Sequence, residues 1–360
     1  MRWQRMLTVA LGVVVLVTAA AADQSDDESK LRASRVRPEA PGGGSQEAEV
    51  KRADYALLIG TDTYPKWGEE GQLVNPIRDA RAIGEELVQH YGFRTLRPTE
   101  VGGVLDFRGL TPTDSVHVLE NPEVAQIRHA LMACQTMEFG RYDQLLIFFA
   151  GHGAFDGVNG YVAGSDSKPA EDDESFESYL PHAVVLDLVD RSRCMHVFVV
   201  MDVCRGGSAF PEPPSQHWAR TDAVRGPATA VRPAPVRAAC DVFSRGLSPT
   251  SAVKDVSAQT ALAAAANTDR WAIQLLERGV TRHCLTSGGR EYDVPDGPPG
   301  AHSPFATRFI RALEQTRHDP EPILQATFIG FFFKGLTPLV QPAPFGRYNE
   351  AGSDFIFIAQ

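Results

Sequence analysis

The chain has 360 residues, of which 43% are hydrophobic and 22% charged, and its formal net charge is −10 at pH 7. This length allows one to three domains, and a core of the size it can bury needs no disulfide or metal to fold. Its five cysteines exclude a disulfide-dense scaffold. The acidic balance, with no basic stripe, argues against nucleic acid as a partner.

The N-terminus has the pattern of an export signal. Residues 1–22 combine Arg2 and Arg5 with an apolar stretch from Met6 to Val17 and four alanines before Asp23. This pattern predicts a cleaved signal peptide and therefore a secreted or periplasmic protein. An uncleaved membrane anchor is the alternative, although the apolar stretch is shorter than the roughly 20 residues of a spanning helix.

The segment 23–52 is rich in Asp, Glu, Ser, Pro and Gly and has no apolar periodicity. Such a composition predicts a flexible linker or a removable pro-segment. The folded domain is expected over 53–360. Within it, residues 208–257 carry repeated prolines and arginines, which predict an exposed linker rather than regular structure.

Short apolar runs alternate with helical patterns along this domain. Buried strands are predicted at Tyr55–Gly60, Leu145–Phe149, His196–Met201, Thr260–Ala266 and Asp354–Ile358. Helices are predicted from Asn75-Pro76, from Asn121-Pro122, over His182–Arg191 and from Ser303-Pro304. In the three pairs that contain Pro, Asn or Ser would be the N-cap and Pro the first helical residue. The alternation predicts an α/β fold with a mainly parallel sheet.

Two of the predicted strands end in reactive residues flanked by glycine. One continues into Ala150-Gly151-His152-Gly153, and the other into Asp202-Val203-Cys204-Arg205-Gly206. Ligands of parallel sheets bind beyond the carboxyl ends of the strands, so His152 and Cys204 are expected at one edge. A thiol beside an imidazole is the pairing of a nucleophile with its acid–base partner.

With these two motifs the chain resembles the caspase-like cysteine peptidases of the C14 type, and among them the bacterial metacaspases and paracaspases. His152 precedes Cys204 by 52 residues, close to the separation of about 50 in the caspase signature. Supporting similarities lie at Tyr55–Gly60, Asp79-Ala80, Gly160–Asp166, Ser303–Phe305 and Asp354–Phe357. The resemblance implies a three-layer sandwich with about six strands and helices on both faces.

The resemblance also implies roles for individual residues. Cys204 would be the nucleophile and His152 the general acid and base, with the backbone N–H groups of Gly153 and Cys204 forming an oxyanion hole. Asp79, Asp202 and Ala150 would line the S1 pocket. Carboxylates in this pocket favour cleavage after Arg or Lys.

The sequence departs from the family pattern at three positions. Ala150 stands where Ser is usual, Arg78 where Asn is usual, and Val203 where Ala is usual. If the preferred residue at P1 is basic, the arginines between Arg220 and Arg245 are candidate self-cleavage sites.

Other interpretations remain open at this stage. One is a catalytically inactive caspase-like domain that serves as a binding scaffold, and another is a legumain- or gingipain-like peptidase. A protein or peptide substrate is the expected partner, and the oligomeric state is undetermined. No metal ligands or cofactor are predicted, apart from a calcium interaction of the acidic run Glu171–Glu174, for which a solvated loop is the simpler explanation.

Overall fold

The structure is a computed structural model that describes residues 52–204, 270–288, 294–319, 323–333, 336, 340, 342–346 and 353–360. The predicted signal peptide, nearly all of the predicted linker at 23–52, the Pro/Arg-rich segment at 208–257 and the predicted strand at 260–266 lie outside these residues. Among the helices of the described ranges, none has the length and apolar character needed to cross a membrane.

The secondary structure alternates along the chain as predicted. The strands are β1 (Asp54–Gly60), β2 (Phe93–Val101), β3 (Val104–Thr113), β4 (Val118–Glu120), β5 (Gln144–Gly151), β6 (Gly153–Phe155), β7 (Gly160–Ala163), β8 (Tyr179–Pro181), β9 (His196–Val203), β10 (Thr281–Thr286), β11 (Ile323–Gln325), β12 (Pro342–Pro344) and β13 (Ile356–Ile358). The helices are α1 (Pro76–Tyr91), α2 (Val124–Thr136), α3 (His182–Asp190), α4 (270–276) and α5 (Pro304–Arg317). Single turns of 3₁₀-helix lie at Glu69–Gly71 and Ala170–Asp172, and a longer 3₁₀ segment spans Ala326–Phe333.

The main sheet has eight strands in the order β12-β10-β9-β5-β1-β2-β3, and β4 pairs with the second half of β1. Strands β10, β9, β5, β1, β2 and β4 pair in parallel, whereas β3 and β12 add antiparallel edges. The predicted α/β fold with a mainly parallel sheet is confirmed, and the sheet has eight strands where about six were expected.

Helices cover both faces of the sheet. Side chains alternate between the two faces along each central strand, so these apolar strands bury side chains on both sides. Leu146 and Phe148 of β5 pack in one apolar cluster with α1 and α5, while Leu145 and Ile147 pack in the other with α2 and α3. These two cores make the three-layer sandwich that the resemblance implies.

The predicted C-terminal strand is present at Ile356–Ile358 and lies outside the main sheet. Strand β13 pairs antiparallel with β11 in a separate two-stranded sheet. Its residue Phe357, and the adjacent Phe355, are buried against the α1 and α5 face. The strand beyond β9 in the main sheet is instead β10, which the sequence pattern did not indicate.

Helix α1 begins at Pro76 as predicted, but its start is not bonded as the sequence suggested. Asn75 makes no capping hydrogen bond. The N–H of Ile77 donates to Asp62 Oδ1 at 2.9 Å instead, and the Asn75 amide donates to the Asp296 carbonyl at 2.7 Å. Asn75 therefore ties the start of α1 to the loop that precedes α5.

The predicted start of α2 at Pro122 is two residues too early, and Asn121 is not its N-cap. Asn121 has a left-handed backbone, with φ of 48°, and its Oδ1 accepts the N–H groups of Asp62 and Thr63, each at 2.9 Å. The helix itself begins at Val124 behind a capping box formed by Glu123 and Gln126. Both asparagines thus fasten loops at the carboxyl edge of the sheet.

Candidate active site

The register of two central strands brings the predicted dyad together. In the parallel pairing of β5 with β9, Ala150 lies opposite Asp202 and Gly151 lies opposite Val203. His152 and Cys204 follow at the next position of each strand and line one cleft at this edge. The cleft is also lined by Leu73, Pro76, Asp79, Ala150, Gly151, Asp202, Val294, Pro295, Asp296 and Ser303.

The imidazole of His152 is held by a backbone carbonyl. Its Nε2 lies 2.9 Å from the carbonyl oxygen of Gly71. Because a carbonyl oxygen only accepts, this contact assigns a proton to Nε2 and leaves Nδ1 as the nitrogen able to accept one. The His152 backbone N–H donates to Tyr64 Oη at 2.8 Å, which fixes the main chain on the other side.

The thiol of Cys204 is half-buried and contacts the backbone of Val294. Sγ lies 3.7 Å from the Val294 carbonyl oxygen, and the Val294 N–H points to Sγ at 3.4 Å. The loop before α5 therefore contacts the thiol directly and forms one side of the cleft.

Two buried carboxylates form the wall of the cleft on the α1 and α5 face. Asp79 comes from the first turn of α1, and Asp202 is the last residue but one of β9. Burial raises the pKa of Asp79 above its ordinary value. Burial also raises the pKa of Asp202 to about 7, and the nearby Asp79 and Asp296 carboxylates add to this effect.

The two carboxylates are joined through the N-terminus of α5. Ser303 caps this helix by accepting the N–H of Ala306 at 2.9 Å, as predicted, and its hydroxyl donates to Asp202 Oδ2 at 2.5 Å. The Ser303 N–H donates to Asp79 Oδ2 at 3.1 Å, and His302 Nδ1 lies 2.6 Å from Asp79 Oδ1. These bonds offset part of the cost of burying two like charges.

A third acid, Asp296, lines the same cleft and was missed by the sequence analysis. One of its carboxylate oxygens, Oδ2, accepts the N–H of Val74 at 2.8 Å. Its loop has no periodic pattern, so the sequence did not indicate that Asp296 reaches the cleft. The Asp-Gly-Pro-Pro turn that starts at Asp296 was the available hint of a tight loop.

The other expected positions are placed as follows. Ala150 lines the cleft, and Val203 is buried in the core below it. Arg78 is exposed and does not line the cleft. The oxyanion role of the Gly153 and Cys204 N–H groups stays a prediction.

The acidic run Glu171–Glu174 overlaps the 3₁₀ turn at Ala170–Asp172. Within it, Asp173 accepts hydrogen bonds from the Ser178 N–H at 2.8 Å and the Ser178 hydroxyl at 2.6 Å. In the described part of the chain, no cluster of three or more His, Cys, Asp or Glu side chains has the arrangement of a metal site.

Three further cysteines of the described residues lie in the interior. Cys134, Cys194 and Cys284 are buried free thiols, and Cys134 packs in the core on α2. Burial raises the pKa of each of these thiols. Such thiols are poor nucleophiles, which distinguishes them from Cys204 at the cleft.

Glycine at 153 is required by the approach of two backbones. A Cβ at this position would lie 2.1 Å from the Cys204 carbonyl oxygen. We expect Gly153→Ala to displace the Cys204 backbone and to lower the free energy of unfolding by about 1–3 kcal/mol, measured by urea denaturation. Gly68 has an ordinary φ of −64° and open space around its Cβ position, so Gly68→Ala is the matched control. Equal stability of the two variants would contradict this packing.

A comparison with protein families supports the assignment of the fold. A family model described as the caspase domain of peptidase C14 matches residues 53–328, which is more than half of the 360-residue chain. A search of curated proteins found no matching relative. A peptidase domain implies peptide or protein substrates. The chain belongs to the caspase-domain family of cysteine peptidases.

Proposed function

We propose that the chain is a cysteine endopeptidase that uses Cys204 and His152 to cleave peptide bonds after Arg or Lys. The observation that carries this proposal is the in-register pairing of β5 with β9, which ends both strands at one cleft. The same cleft contains the carboxylates of Asp79 and Asp202. The residues proposed as nucleophile, acid–base partner and anionic pocket therefore line one cleft.

The hydrogen bond of His152 to the Gly71 carbonyl supports a specific route for the proton transfers. With Nε2–H donated to the Gly71 carbonyl, Nδ1 accepts the thiol proton of Cys204. The thiolate attacks the substrate carbonyl carbon, and backbone N–H groups stabilise the resulting oxyanion. The imidazolium then protonates the leaving amine, which leaves a thioester on Cys204. Water hydrolyses the thioester with His152 as the base and restores the thiol.

The preference for a basic P1 side chain follows from the electrostatics of the pocket. Burial raises the pKa of Asp202, and the nearby Asp79 carboxylate raises it further, so ionisation of Asp202 is disfavoured while the pocket holds no cation. A guanidinium or ammonium group of the substrate removes this repulsion and forms charge-assisted hydrogen bonds. An acidic P1 side chain would add a further negative charge and be rejected.

We also propose that residues 1–22 export the protein and that it cleaves itself within 208–257. The apolar segment with its basic N-terminal end supports the first proposal, and the arginines of the Pro-rich segment support the second.

The competing function is an inactive binding scaffold. The presence of both dyad residues at one cleft argues against it. A legumain- or gingipain-like enzyme is disfavoured by the caspase-domain match.

The first prediction concerns P1 specificity and uses fluorogenic peptides that differ only in Arg, Lys or Asp at P1. Residues 23–360 should cleave the Arg and Lys peptides at least about 100-fold faster than the Asp peptide. Cys204→Ala and His152→Ala should abolish cleavage, while Cys134→Ala, at a buried thiol of the core, should retain it. Asp202→Asn should lower kcat/KM for Arg by roughly 10- to 100-fold, and the exposed Asp114→Asn should not.

The outcomes of this assay separate the alternatives. Cleavage after Asp would contradict the anionic pocket and leave the dyad standing. No cleavage of any peptide, with calcium or with chelator, would favour the scaffold. Incubation of the native chain beside Cys204→Ala, followed by intact mass, tests self-cleavage, and identical masses would contradict it.

The second prediction concerns pH. Because the pKa of Asp202 is raised to about 7, its carboxylate is largely protonated below that pH and ionised above it. The ratio of kcat/KM for an Arg peptide over its neutral citrulline analogue should therefore rise from pH 5.5 to 8. The ratio cancels the titration of the dyad, which both substrates share. Asp202→Asn should give a lower ratio with a weaker pH dependence, and a native ratio that is constant with pH would contradict the account.

A further inference from the structure

An indole face covers the imidazole of His152. The ring centroids of Trp67 and His152 are 4.5 Å apart, and the ring planes are within 15° of parallel. The Tyr64 ring lies 4.8 Å from the imidazole at a tilt of 54°. The imidazole is thus in contact with two aromatic rings as well as with the Gly71 carbonyl.

The indole is fixed in this position by its own bonds. Its Nε1–H donates to the carbonyl of Ser167 at 2.9 Å, and its backbone N–H donates to the carbonyl of Tyr64 at 2.9 Å. Gly71 packs against Trp67 so closely that a Cβ at position 71 would lie 2.7 Å from Trp67 Cβ. The stacked ring and the carbonyl that holds Nε2 therefore come from one compact loop.

The same loop is fastened internally by Gln72. Its side-chain amide donates to the carbonyls of Tyr64 and Trp67, at 2.9 and 3.2 Å, and its Oε1 accepts the Tyr64 N–H at 2.8 Å. Gln72 thereby holds both aromatic residues in place against the small sheet of β6, β7 and β8, where Tyr64 is fully buried. Such fixation is what a group that orients a catalytic side chain needs.

We propose that Trp67 is a positioning residue for His152, which sets the plane of the imidazole and stabilises its protonated form. The inference rests on the proposed function, because it concerns the acid–base partner of Cys204. The electron-rich face of an indole attracts a cation within about 6 Å of its centroid. An imidazolium stacked at 4.5 Å is therefore favoured, and so is the thiolate that pairs with it.

Trp67 does not line the substrate cleft, so its effect must pass through His152. A purely structural role would respond to lost volume, whereas the proposed role requires an aromatic face. Trp67→Phe keeps a face, and Trp67→Leu keeps apolar bulk without one. Both variants lose the bond to the Ser167 carbonyl, so the comparison between them isolates the face.

The test measures alkylation of Cys204 by iodoacetamide as a function of pH, quantified on the Cys204 peptide by mass spectrometry. This readout reports the thiolate and requires no peptide cleavage. In the native chain the midpoint should lie below that of His152→Ala, which should approach the ordinary thiol value of about 8.5. Trp67→Leu should raise the native midpoint by about half a pH unit and slow alkylation at pH 6 about threefold. Trp67→Phe should stay near the native profile.

Peptide cleavage gives the second readout. Trp67→Leu should lower kcat for the Arg peptide at least about tenfold, with KM changed less than twofold because the cleft is untouched. Thermal unfolding identifies a variant that fails to fold, and Trp67→Met then replaces Trp67→Leu.

The outcomes keep this inference apart from the proposed function. Equal midpoints for the native chain and His152→Ala would contradict the dyad, and with it the role of Trp67. A shift in His152→Ala but none in Trp67→Leu would leave the dyad standing and overturn the role of Trp67. Equal shifts in the Phe and Leu variants would show that the aromatic face is not what matters.

Discussion

The parallel register between β5 and β9 is the constraint on which the site depends. It aligns Ala150 with Asp202 and Gly151 with Val203, so that each strand delivers its reactive residue at the same level. The register is enforced because every residue of β9 is buried, and a slip by one position would turn its apolar side chains to the opposite core. The positions of His152 and Cys204 at the edge of the sheet therefore depend on the packing of β9 in the core.

At the same edge, the burial of two carboxylates is unfavourable, and hydrogen bonds compensate for only part of this free energy. Asp79 and Asp202 are both buried in the cleft wall, and their mutual repulsion opposes ionisation. Ser303 bonds to both carboxylates, and the imidazole of His302 reaches Asp79. In the proposed function, a cationic substrate group would offset the remaining repulsion between the carboxylates, and the unfavourable burial of charge would become a source of specificity.

The sequence predicted the parts of this molecule that are encoded locally. Apolar runs specified β1, β5 and β9, and the glycine-flanked His152 and Cys204 marked their ends. It did not predict what depends on tertiary contact. The Asn75 side chain bonds a distant loop instead of its own helix, Asp296 reaches the cleft from that loop, and the group that orients His152 is a backbone carbonyl whose residue type carries no information. Trp67 lies far from the motifs in sequence, and only the folded loop stacks it on the imidazole.

The most direct test of the central claim is covalent capture of the nucleophile. Peptidyl chloromethyl ketones with Arg or Asp at P1 would be reacted with the native chain and with His152→Ala, and the modified residue located by mass spectrometry. We expect one adduct, on Cys204, that forms rapidly with the Arg reagent and slowly with the Asp reagent or without His152. An adduct on another cysteine, or equal rates for both reagents, would contradict a single site built from the two strand ends.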